Sequence, residues 1–162
     1  MLLPILRWPD PRLSLPCAPA VLDDDLRALA ADMLETIYAA PGRGLAAPQV
    51  GRRVRLFVMD VTWKEGVHSP QVFVNPEMLE LSAARVTGPE GCLSIPGPVT
   101  DVERAEVVRM RWADLDGRVH EAMLTGFAAI CAQHEYDHLD GILTLDRLPP
   151  DARARAEAEV SA

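Results

Sequence analysis

The run HEYDH places His134, Glu135 and His138 in the pattern H-E-x-x-H. On a helix, four-residue spacing puts both imidazoles on one face, one turn apart, within reach of a single metal ion. Glu135 lies between them, placed to take a proton from a water that such an ion has acidified. The plainer alternative is a buried helix with two satisfied histidines. Against it, the chain has only four histidines and two of them fall here. Two nitrogens do not complete a site, because a catalytic tetrahedral centre wants a third protein ligand and an open position. The downstream solution H-E-x-x-H-x-x-G-x-x-H is closed: Gly141 fills its glycine position, but Thr144 stands where the third histidine belongs. Glu157 and Glu159, in a polar tail, are weak candidates. Upstream, Glu90-Gly91-Cys92-Leu93-Ser94 holds a cysteine bracketed by Pro89 and Pro96. Its thiolate suits a borderline-soft metal. Cys131 is one helical turn before His134, but three ligands on one short face give poor tetrahedral angles. Cys131 therefore reads as packing behind the site, and Cys92 as the third ligand.

A third stretch, GRGLAAPQ at 42–49, is not periodic. Its glycines let backbone approach a ligand closely. Gln49 offers an amide donor. No G-K-[ST] follows, so it is not a phosphate loop.

These residues need elements to hold them. Asp23 to Asp25 cap a helix whose apolar residues Leu26, Leu29, Met33 and Ile37 recur every three or four positions, and Pro41-Gly42 stops it. The run VRLFVM at 54–59 reads as a strand buried on both faces. Residues 71–74 read as a strand ended by Asn75-Pro76, and 102–112 as one alternating strand. Asp116-Gly117 turns that strand into another at 119–124. Helical spacing returns from Phe127 to Leu139, and Pro149-Pro150 precedes a last helix in which Arg153/Glu157 and Arg155/Glu159 are i,i+4 pairs. Strands grouped before one long helix predict an α+β fold.

The chain's 162 residues fit a single domain, 1–162, with 151–162 a short C-terminal helix or tail. Hydrophobic residues at 49% and charged residues at 25% exclude disorder for the bulk of the chain. Acids outnumber bases 24 to 16, for a net charge of −8, which argues against a direct nucleic-acid site. Three cysteines cannot close a disulfide framework, and a reducing compartment suits them better. No apolar run is long enough to span a membrane. The opening MLLPILRWPDP lacks a continuous signal core. A cytoplasmic location is expected.

Together, GRGLAAPQ, EGCLS and HEYDH, in that order, resemble the three signature stretches of the peptide deformylase family. The resemblance runs from about residue 7 to 148. It implies a bacterial enzyme that removes the formyl group from N-formylmethionine on new proteins. It implies an α+β fold of small antiparallel sheets around the HExxH helix. It implies one divalent ion per chain, natively Fe(II), with Zn, Ni or Co also seen, held by Cys92, His134 and His138. Glu135 would be the general base and acid. Gln49 and the backbone N–H of Leu93 would donate to the carbonyl oxygen. Gly44 and Gly91 would pair with substrate backbone, and Arg43, Phe127, Ile130 and Cys131 would lie on the substrate side.

Two departures stand out. Relatives more often carry Val or Ile where this chain has Arg43. Its guanidinium either reaches the cleft rim to meet substrate residues beyond the formyl-methionine or pairs with one of the chain's own acids. Glu103 replaces the proline of a V-P-R stretch before Arg104. Some relatives dock on the ribosome through a longer basic C-terminal helix; three acids and two arginines in 151–162 argue against that here. The competing readings are a catalytically silent binder of peptide ends and another metal-dependent amide hydrolase.

Overall fold

The computed structural model describes residues 1–161. Asp23 opens helix α1 (Asp24–Ala39), its carboxylate accepting from the Leu26 N–H at 2.8 Å. Acidic residues fill the first turn, as the helix dipole favours. The apolar stripe of α1 packs on one face of a five-stranded antiparallel sheet. That sheet contains β1 (Gly44–Ala46), β2 (Leu56–Met59), β3 (Gln71–Leu81), β6 (Val107–Ala113) and β7 (Val119–Thr125), ordered β1-β2-β3-β6-β7. A separate hairpin pairs β4 (Arg85–Cys92) with β5 (Ile95–Ala105). Helix α2 (Gly126–Leu139) covers the opposite face of the large sheet, and α3 (Pro150–Glu159) follows a short 3-10 turn.

β2 shows why the layers form. Leu56 and Val58 face the α1 core, while Phe57 and Met59 face the core under α2. All four are fully buried, as a strand between two helical layers must be. Phe57 stacks on Phe73 at 4.4 Å, and Phe73 meets Trp112 at the same distance, joining three strands beneath α2.

Two strand expectations need correction. Asn75-Pro76 does not end β3, which continues through a bulge there. Asn75 takes a left-handed conformation (φ 48°), and its amide bonds both the N–H and the C=O of Ala20. Pro76 needs no ladder donor at such a bulge. The run 102–112 is likewise not one strand. It turns at Glu106 and divides between the two sheets. Gln133 of α2 holds the corner, accepting from Ala105 N–H at 3.0 Å and donating to Ala105 C=O at 2.9 Å. In α3 the Arg153–Glu157 pair forms, but Arg155 reaches back to Asp151 instead of Glu159.

Candidate active site

α2 is buried nearly all round, so its polar residues are committed to the interior. It brings His134 and His138 beside Cys92, at the end of β4. Their ligand atoms all lie within 4.8 Å of one another, and Cys92 Sγ sits 3.5 Å from His138 Nε2. The donor set fits a divalent cation: one thiolate and two imidazoles suit zinc or iron. Glu90 bonds His134 Nδ1 at 2.9 Å, which leaves Nε2 free to ligate. Burial holds the His138 imidazole well below its usual range, so it stays neutral, the form that binds metal.

Glu90 is itself held. Arg104 grips it through two hydrogen bonds of 2.9 Å and reaches Asp137 at 2.6 Å. Arg147 closes the chain with a fork on Asp137 at 2.7 and 3.1 Å. This buried network behind the histidines was not foreseen from sequence. A signal existed: Val102 and Arg104 share the inward face of β5, and a cation in a core position implies buried acids to meet it.

Glu135 is 2% exposed, and burial pushes its carboxyl up to about 7. A cation nearby would pull it back down. Its Oε2 has no partner among the described residues. Gln49 is equally buried, and its orientation is fixed. Oε1 accepts from Ala46 N–H at 2.9 Å, so the NH₂ must face Ser94 Oγ at 3.0 Å and Cys92 Sγ at 3.7 Å. Ser94 is another member of the site that sequence reasoning passed over.

Gln49, Cys92, His134 and Glu135 floor a cleft of about 370 Å³. Arg43, Gly44, Gly91, Leu93, Phe127, Ile130 and Cys131 all line it, as does Lys64, which sequence did not single out. Gly44 has a steric reason: a Cβ there would lie 2.8 Å from Cys131 Sγ and 3.0 Å from Glu135 Cγ. A Cβ on Gly91 would meet nothing within 4 Å, so its backbone is open to a ligand. Arg43 takes the internal option, pairing with Glu65 at 3.1 Å and lying 5.2 Å over the Phe127 ring. Cys131 stays outside the ligand cluster, and burial pushes its thiol well up.

The sequence profile described as Polypeptide deformylase matches residues 2–154. The chain belongs to the polypeptide deformylase family. It is thus an enzyme, a deformylase of the hydrolase class that acts on peptides in protein processing. A peptide deformylase of Alkalilimnicola ehrlichii is 54% identical over 155 residues, 95% of this chain and 86% of that protein. The crystal structure of the Legionella pneumophila deformylase superposes with a TM-score of 0.92 at 39% identity, covering 98% of this chain and 93% of that one. A deformylase from Acinetobacter baumannii, solved with Met-Ala-Ser bound, gives a TM-score of 0.85 at 36% identity, with coverages of 91% and 99%. The α+β architecture is the deformylase fold. Among the described residues no helix is long and apolar enough to cross a membrane.

Proposed function

We propose that the chain removes the formyl group from N-formylmethionyl peptides, releasing formate and a free amine. One observation carries this reading: Glu135, with its unpartnered Oε2, shares a cleft with Cys92, His134 and the fixed Gln49 amide, and His138 clusters with that cysteine and histidine from behind. Cys92, His134 and His138 would hold one divalent ion, natively Fe(II). Bound there, it supplies Lewis-acid chemistry, acidifying water and polarising a carbonyl oxygen.

The chain's own residues do the rest. β1 is the outermost strand of its sheet, and its Gly44 lines the cleft, where it can pair with peptide backbone alongside Gly91. Phe127 and Ile130 offer apolar surface to the methionine side chain. Glu135 takes the water's proton as the oxygen bonds to the formyl carbon. Charge that develops on the carbonyl oxygen is met by the Gln49 Nε2–H and the Leu93 N–H. Such preorganised donors contribute about 3–4 kcal/mol each to the transition state. Glu135 then passes its proton to the amine nitrogen as the carbon–nitrogen bond breaks. A formyl carbon bears only hydrogen, so a tight floor admits it and rejects bulkier acyl groups. The A. baumannii relative bound to Met-Ala-Ser is consistent with such a product.

The chain would act as a single catalytic domain, 1–162, in the bacterial cytoplasm. Ribosome docking through α3 is disfavoured, since Arg153 pairs with Asp146 and Glu157, and Arg155 with Asp151. The deciding experiment measures formate released from formyl-Met-Ala-Ser by anaerobically purified protein, with bound metal quantified. The expected result is turnover with about one ion per chain. A metal-loaded protein that releases no formate overturns the reading.

A further inference from the structure

The cleft's outer wall includes a short turn that the mechanism does not use, Trp63–Glu65. It is tied down residue by residue. Trp63 donates its indole N–H to the Gly42 carbonyl at 2.8 Å. Its ring also meets Tyr38 edge-on at 5.3 Å. Glu65 accepts from Arg43 at 3.1 Å. The loop's two ends are pinned by buried Asp60. Its N–H donates to the Arg43 carbonyl at 2.8 Å, and its carboxylate accepts from Tyr38 Oη at 2.7 Å and from Ser69 N–H at 3.1 Å. The turn is therefore built onto the Gly42–Gly44 edge where the peptide is expected to lie.

Between the two anchors stands Lys64, exposed and lining the cleft. Its ammonium lies 5.9 Å from the ring of neighbouring Trp63, and it makes no ion pair among the described residues. The other charged groups of the cleft wall are already engaged. Arg43 is neutralised by Glu65, and Glu90 is held by Arg104 and His134. Glu135 belongs to the floor. The outer cleft thus presents one uncompensated charge, a cation, on a chain that is otherwise strongly acidic.

We infer that Lys64 is a specificity residue that favours peptides carrying an acidic side chain within the first two residues after formyl-methionine. This rests on the deformylase reading. Arg43, the cation that the sequence brings forward, contributes by holding Glu65 away from Lys64. A rim contact of this kind is made equally in ground and transition states, so the preference appears in KM rather than kcat. Exposed pairs support a ratio of roughly 1.5- to 5-fold, fading as salt rises.

The test compares formyl-Met-Ala-Ser-NH₂, formyl-Met-Asp-Ser-NH₂ and formyl-Met-Ala-Asp-NH₂. All are C-terminally amidated, so that only a side chain can supply the carboxylate. Wild type should turn over at least one Asp peptide with a KM a few-fold below the Ala-Ser peptide at low salt. Lys64→Met should abolish that ratio, Lys64→Arg keep it and Lys64→Glu invert it. The same order should appear in inhibition by Met-Asp-Ser-NH₂ and Met-Ala-Ser-NH₂. Equal ratios in wild type and Lys64→Met at low salt overturn the inference while leaving the deformylase reading intact. No formate from the neutral peptide with metal-loaded wild type overturns both.

Discussion

Two cysteines line one cleft, and their surroundings give them opposite chemistries. Cys92 Sγ faces His138 Nε2 at 3.5 Å and the Gln49 amide at 3.7 Å. Cys131 is sealed against Gly44 and held as a neutral thiol. Cys92→Ser should therefore lose stoichiometric metal, while Cys131→Ser keeps it; elemental analysis of both proteins decides. Glu135→Gln keeps the shape of the carboxyl but not its basicity. Bound metal and product affinity should survive, and kcat should fall by about 10²–10⁴. Near-normal kcat in metal-replete protein would remove Glu135 from proton transfer. The H-E-x-x-H spacing pointed to a metal-binding pair of histidines with Cys92 as the better third ligand, while the role of Gln49 came only from the resemblance that the three motifs carry together. Glu90 and Asp137 were not legible, since charged residues are ordinarily surface residues; only Arg104, on the same alternating face as Val102, carried a hint of burial.

Helices α1 and α2 were readable from apolar periodicity, α3 from the proline break and its charge pairs, and the doubly buried β2 from its unbroken apolar run. The β4–β5 hairpin was not. Gly88, Pro89 and Gly91 interrupt any alternation in β4, and Glu90 is the one buried residue of that strand. The corner at Glu106 also hides. Val102 and Arg104 face inward before it, and Val108, Met110 and Trp112 after it, all at even positions. The period therefore runs through a change of sheet that only the Gln133 clamp reveals. β1 and α2 approach closely at Gly44. Gly44→Ala would push a methyl into Cys131 Sγ and Glu135 Cγ. Overpacking of this kind costs about 1–3 kcal/mol. Thermal stability should drop by that amount, while kcat falls further than the loss of folded protein explains. An unchanged kcat per folded molecule would show that Glu135 tolerates displacement.

Across the whole molecule, Arg104 joins β5 to β4 through Glu90 and to α2 through Asp137, and Arg147 extends the join to the turn before α3. Arg104→Met would leave two buried carboxylates short of a partner. Breaking buried pairs this way costs about 3–5 kcal/mol, so denaturant unfolding should show a loss of that size. Arg104→Lys should recover only part of it, lacking the planar fork. A loss below 1 kcal/mol would mean water replaces the guanidinium. The same wiring has a consequence in time. Synthesis runs from the N-terminal side, and the donors stand at 92, 134 and 138. A growing chain that has reached residue 133 contains Gln49 and Cys92 but neither imidazole, and its Arg104 still waits for Asp137. Activity should therefore not build gradually with chain length. It switches on once, after α2 has been delivered and has settled against a sheet whose strands all precede it.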